Sequence, residues 1–176
     1  MNELAETAIA KARRLTAERG RLQREGSAEA LEAAKAELDT LETALREIAA
    51  EAGNIASFDT SVERARDGDA VAVCFGTVSA TFHWKLRYTN SVRGAALLVR
   101  EWPFPHRFTG GMMAYTPEET RSETYRFALN DSDEWVWTQG AASSGVSSST
   151  LADIVVGRLV DRMFHPEGSE SGFASW

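Results

Sequence analysis

The chain has 176 residues, 43% of them hydrophobic and 26% charged, which excludes wholesale disorder and leaves room for one ordinary domain with an appendage. A formal net charge of −7 and a pI near 5.1 argue against nucleic acid as its partner. Cys74 is the single cysteine, so the sequence can form neither an internal disulfide nor a thiolate metal cluster.

The start, Met1 to Glu6, is acidic and lacks the apolar core of a secretory signal. No apolar run approaches the ~20 residues of a membrane span. The expected setting is therefore the cytoplasm, with no membrane partner. Residues 3–23 are rich in Ala, Glu, Arg and Leu, all strong helix formers. Leu4, Ala8, Ala12, Leu15 and Leu22 give this helix a one-sided apolar stripe. Gly26 suits its end, and Ser27 can cap the next helix.

That second helix carries the clearest pattern in the chain. Leu31, Leu38, Leu45 and Ala52 fall seven apart, with Ala34, Leu41, Ile48 and Ile55 between them. This three–four spacing is a narrow apolar seam that must be buried against another helix. Charge divides the two arms: six cations and four acids over residues 1–26, against two cations and seven acids over residues 27–52. A basic arm beside an acidic arm is what an antiparallel helical hairpin would use to set its pairing, the rival being one long interrupted helix in an intermolecular coiled coil. Leu31, Leu38, Leu41, Leu45 and Ile48 are the residues expected to carry association.

Gly53 and Asn54 mark a composition shift. Thr60 with Glu63 reads as a capping box opening a short helix to about Arg66. The period then changes from helix to strand. Val71, Val73 and Phe75 alternate, and after Gly76 so do Val78, Ala80, Phe82, Trp84, Leu86 and Tyr88. Residues 89–94 read as a turn, and Ala95–Trp102 as a strand covered on both faces, ended by Pro103 and Pro105. Met112–Tyr115 reads as a short strand, and Thr116-Pro117-Glu118-Glu119 as a helix start. Tyr125, Phe127 and Leu129, a turn at Asn130–Asp133, then Trp135 and Trp137 give a hairpin. Thr150 with Asp153 opens a last helix bearing Leu151, Ile154, Val155, Leu159 and Met163, stopped at His165-Pro166.

The fold class that follows is α+β: a coiled-coil-like N-terminal antiparallel helical hairpin, then an antiparallel sheet of about five strands with a C-terminal helix packed on it. The expected divisions are 1–53, 54–166 and a flexible tail over 167–176. In that tail Phe173 and Trp176 read either as a docking motif or as rings that pack back.

Few residues point to chemistry. His83, Lys85 and Arg87 share one strand face, with Thr81 beside them, as an anion contact would require. The preferred reading of the same row is a solvated strand face or a dock for the acidic arm. Asn130, Asp131, Asp133 and Glu134 lack the glycine and the bidentate glutamate of a calcium loop. Ser143–Ser149 match neither a nucleophile elbow nor a P-loop. His83, His106 and His165 do not have the spacing of a zinc set, and Cys74 reads as a buried structural thiol. Trp84, Trp102, Trp135 and Trp137 read as core rings or, alternatively, as the lining of a ligand pocket. No cofactor and no metal is expected, and no spacing argues for an enzyme. The leading reading is a non-catalytic association protein that meets itself or another protein through its N-terminal helices, with the sheet as recognition module. The alternative is a small-ligand or anion sensor.

Overall fold

The computed structural model describes residues 3–86, 91–108, 119–140 and 145–166. Two helices come first, α1 (Glu3–Glu25) and α2 (Ala28–Ala56). Six strands follow: β1 (Thr60–Arg64), β2 (Ala70–Phe75), β3 (Val78–Leu86), β4 (Ala95–Trp102), β5 (Arg121–Leu129) and β6 (Trp135–Thr138). The last described element is α3 (Ser148–Phe164). The strands form one antiparallel sheet in the order β1-β2-β3-β4-β5-β6, so every strand lies beside its neighbour in sequence. The architecture is α+β, as the change of period at residue 70 implies. No helix among the described residues is long and apolar enough to cross a membrane.

Ser27 caps α2 by accepting from the Ala30 N–H at 3.2 Å. At the far end Ser57 adopts a left-handed conformation with φ 60°. Gly53 is required just before it, because a Cβ there would lie 2.5 Å from Thr60 Cγ2 and 2.9 Å from the Phe58 carbonyl oxygen. That close approach lets the last turn of α2 run directly into the edge of the sheet. The buried stripe of α2 is Ala30, Ala34, Leu38, Leu41, Ala44, Leu45 and Ala49. It packs in one core with Leu151, Ala152, Val155, Val156 and Leu159 of α3 and with Val71, Val73, Phe75, Ala80, Phe82, Leu97, Val99, Phe127 and Trp137 of the sheet. α2 and α3 therefore cover the same sheet face. Within the chain the seam is covered by α3 and the sheet as far as Ala52, while its last member, Ile55, is 81% exposed.

Several local expectations change. Thr60 and Glu63 open no helix; they lie in β1, paired with Phe75 and Ala72 of β2. Thr60 and Val62 are β-branched, and the exposed edge of β2 offers a full ladder of hydrogen bonds that one helical turn cannot match. The Glu63 carboxylate accepts from the Phe108 N–H at 3.3 Å instead of reaching back to cap. Ser147, not Thr150, caps α3, accepting from the Thr150 N–H at 3.2 Å. β4 alternates buried with half-buried residues over most of its length, so it is not covered equally on both faces. β5 begins at Arg121, four residues before the expected Tyr125. The expected strand at 112–115 and the helix start at 116–118 lie outside the described residues.

α1 differs from everything else. Each residue from 7 to 20 is exposed. Its last turn is anchored. The Ser91 hydroxyl donates to the Glu25 carbonyl at 3.2 Å, and the Arg93 guanidinium donates to the Leu22 carbonyl. The Leu129 N–H donates to Glu25 Oε1 at 3.3 Å, and Arg24 pairs with Asp133 at 2.5 Å.

Candidate functional site

The residues expected to carry association lie in or against the core. Leu38 is 4% exposed and Leu41 and Leu45 are 0% exposed, while Leu31 and Ile48 are half-buried against the same cluster. Their side chains are packed within the chain. The weaker stripe of α1 is left largely uncovered, with Leu15 55% and Leu22 41% exposed, and Ile9, to one side of it, is 44% exposed. Over residues 7–24 this helix carries six cations and one acid. An open cleft of about 1100 Å³ separates its C-terminal half from the β5–β6 turn, with Arg14, Glu18 and Arg21 on one wall and Asp131 and Asp133 on the other.

The second candidate is the sheet face turned away from the helices. Phe82 and Trp84 point into the core, so strand alternation sends Thr81, His83 and Lys85 the other way. His83 and Lys85 are exposed there, and Arg87 lies outside the described residues. The β3–β4 register pairs Lys85 with Ala96, His83 with Leu98 and Thr81 with Arg100. The β4–β5 register adds Thr124 beside Leu98 and Ser122 beside Arg100; Arg126, the next exposed residue of β5 on this side, lies one residue beyond the last β4–β5 pair, Leu97 with Tyr125. Arg100 and Arg126 thus join the two strand residues that the sequence singled out. They escaped notice because they come from different strands, and only the register brings them to one face. The acidic arm does not dock here. α2 lies on the opposite face, where Asp39 and Glu42 pair with Arg64. Burial first, and then the positive charge of Lys85, hold the His83 imidazole below its usual range.

The tryptophans are mostly core. Trp84 meets Trp137 edge-to-face at 5.7 Å, Trp135 stacks on Phe127 at 4.9 Å, and Trp137 Nε1 donates to the Ser148 hydroxyl at 2.9 Å. Trp102 lies on the outer face, donating to Thr81 Oγ1 at 3.2 Å and stacking on His106 at 5.2 Å. Residues 103–108 cross that face at its β2–β3 end. The Ser79 hydroxyl donates to the Phe104 carbonyl at 2.7 Å, and the buried Cys74 thiol donates to the His106 carbonyl at 3.2 Å. Burial holds the His106 imidazole below its usual range, and His165 ends α3.

Asn130 Oδ1 accepts from the Ser132 and Glu134 N–H groups at 2.9 Å each, which makes the 130–134 segment a side-chain-stabilised turn. Among the described residues no group of His, Cys, Asp and Glu side chains could hold a metal ion. Ser147 caps α3, and the buried Ser148 hydroxyl donates to Glu37 of α2. Ser143 and Ser144, like Phe173 and Trp176, lie outside the described residues.

The sequence reading missed one charged cluster altogether. Glu101, 1% exposed, faces α3 from β4, with Arg158 Nε 2.6 Å from its Oε1 and Arg162 Nη2 2.9 Å from its Oε2. The first of these is a charge contact without hydrogen-bond alignment. Arg158 Nη2 also reaches Glu123 Oε2 at 2.9 Å, and Arg121 Nη2 reaches Glu123 Oε1 at 2.7 Å. Burial alone would raise the Glu123 pKa, but the Arg121 hydrogen bond and the Arg158 charge together hold it below the usual range. Tyr125 donates to Glu123 Oε2 at 3.0 Å; burial, and then the Glu123 charge, push its pKa up to about 12. A Glu123 carboxylate held below its usual range makes a poor general acid, and the arginine pairs suit the cluster to clamping α3 onto the sheet. Its sequence signal was Arg158 and Arg162, one turn apart on α3, matched by a lone glutamate in an apolar strand.

Comparison with protein-family models, with curated proteins and with solved structures found no match to this chain.

Proposed function

We propose that this chain is a non-catalytic association protein in which α1 is the arm that engages a partner and the α2–α3–sheet body is the rigid carrier. The observation that carries this reading is an amphipathic helix of 23 residues whose stripe residues Leu15 and Leu22 are 55% and 41% exposed, with Ile9 beside them 44% exposed. A helix gains most of its stability from packing that face, so a bare one calls for a partner.

Charge narrows the choice of partner. Two α1 helices side by side would set six cations against six over residues 7–24, which argues against pairing α1 with its own copy. The outer surface of α2 offers the opposite sign. Glu29, Glu47 and Glu51 are exposed and have no ion pair among the described residues. A second copy of the chain, presenting α2 to the first copy's α1, satisfies both helices and gives two equivalent contacts about a two-fold axis.

Sedimentation of the full chain and of an Ile9→Glu, Leu15→Glu variant tests this. The wild-type chain is expected to be a dimer whose dissociation rises with salt, and the variant a monomer with an unchanged circular dichroism spectrum of the body. A monomeric wild-type chain at all concentrations would overturn self-association.

A further inference from the structure

The open sheet face carries an inference independent of α1. Across β3, β4 and β5 the registers bring Thr81, His83, Lys85, Ala96, Leu98, Arg100, Ser122 and Thr124 together on this face, and strand alternation adds Arg126 as a ninth position one residue beyond the last β4–β5 pair. In a chain with 26 acids and 19 Lys and Arg, these nine positions contain three permanent cations, a histidine, three hydroxyls and no acid. Among the described residues, three acids act on the patch. Glu119 Oε1 is 3.8 Å from Arg100 Nε, and Asp67 and Asp69 act on His83 from the side, partly offsetting the effect of Lys85 and Arg100.

The arrangement is a grid. Strands lie ~4.8 Å apart and alternate residues ~6.8 Å apart along a strand. The first row is Lys85, Ala96, Arg126. Its outer members stand about 10 Å apart across a residue whose side chain is a single methyl group. That leaves a notch over Ala96 with a long, exposed cationic side chain on each side, and neither Lys85 nor Arg126 has an ion pair among the described residues. The second row, His83, Leu98, Thr124, provides a half-buried apolar floor flanked by a neutral imidazole and a hydroxyl. The third row holds Arg100, whose Nε has no hydrogen-bond partner.

We propose that this face binds an organic phosphate monoester, with the phosphate in the notch over Ala96 between Lys85 and Arg126 and the organic body over Leu98. Two cations converging on one dianion give charge-assisted hydrogen bonds from both sides, and the planar guanidinium of Arg126 can donate two at once. Leu98 adds apolar contact that inorganic phosphate cannot use, so the site favours the ester over the free ion.

The test follows backbone amide shifts of the full chain during titration with phenyl phosphate, inorganic phosphate, and sodium chloride at matched ionic strength. Vesicles containing phosphatidic acid, whose headgroup is also a monoester, form a further arm. Saturable shifts centred on Lys85, Ala96 and Leu98, stronger for phenyl phosphate than for inorganic phosphate, support the site. Each of Lys85→Gln and Arg126→Gln should then weaken binding by about tenfold or more. Both residues are exposed, so the variants should melt as the wild type does. Co-sedimentation with the vesicles that is lost in the same variants supports the same chemistry and identifies a lipid headgroup as its source. Shifts that sodium chloride reproduces, or that survive both substitutions, overturn the proposal. So does a response to a short single-stranded DNA with none to phenyl phosphate.

Discussion

α1 and α2 are helices of similar length, 23 and 29 residues, both rich in Ala, Glu and Leu, yet one is largely exposed and the other forms a wall of the core. Helix propensity does not separate them. Continuity of the apolar stripe does. In α2 the positions one turn apart run Ala30, Ala34, Leu38, Leu41, Leu45 and Ala49 without a charge among them. The alanines let the backbone approach α3 and the sheet closely, and the leucines fill the space between. In α1 the corresponding stripe is broken, because Lys11, Glu18 and Arg19 fall where the next apolar contacts would be needed. A face with such gaps cannot be taken into a dry core without stranding charge. It remains able to meet a wet, charged surface.

The largest effect that can break this contrast lies in the clamp beneath α3. Glu101→Ala leaves Arg158 and Arg162 without their buried anion and should cost about 3–5 kcal/mol in urea unfolding. A loss below ~1 kcal/mol would mean that the two arginines find water instead and that α3 is held by its apolar face alone. Next comes the seam. Leu41→Ala, at a fully buried position, should cost about 2–5 kcal/mol, and the loss should not vary with protein concentration. A loss that shrank on dilution would instead place the seam between molecules.

The reading of α2 shows how far sequence reaches. Seven-residue spacing says that a face is buried, and the buried face was legible at Leu38, Leu41 and Leu45. It does not say what buries that face. The answer lay more than a hundred residues away, in Leu151, Val155 and Leu159 of α3. Strand parity likewise placed His83 and Lys85 on the outer face, because alternation is local. Arg100 and Arg126 joined them only through register, which is not. Thr60–Glu63 misled for a related reason: a capping box satisfies backbone groups locally, whereas the edge of β2 offered a longer ladder. Glu101 was invisible because a lone acid in an apolar strand reads as a flaw until its two arginines arrive from α3.

A smaller effect sharpens the clamp through pH. Folding raises the Tyr125 pKa from about 10 to about 12, so the folded state favours the neutral phenol. Its contribution to stability is complete below pH ~10 and is lost as pH rises through the folded value. Tyrosinate absorbance should show one group titrating late, and Tyr125→Phe should remove that step while flattening the alkaline fall in stability. The signs for His83 and His106 are opposite. Both are held below their usual range, so the unfolded chain binds more protons and stability falls as pH drops below ~6.5.

The smallest effect is the most telling for function. Leu15→Ala removes a side chain that is 55% exposed and should change the stability of a monomeric chain by no more than about 0.5 kcal/mol. In the assembled protein the same substitution should shift the dissociation constant, because there the leucine is covered. Hydrogen exchange separates the two states without any mutation. In dilute protein the amides of residues 7–20 should exchange many times faster than those of Leu38 to Ala49, since one helix opens alone and the other only with the core. Concentrating the protein should slow α1 and leave α2 unchanged. If α1 is already as slow as α2 at the lowest concentration, then the bare face is covered within the chain, and the contrast between the two helices disappears.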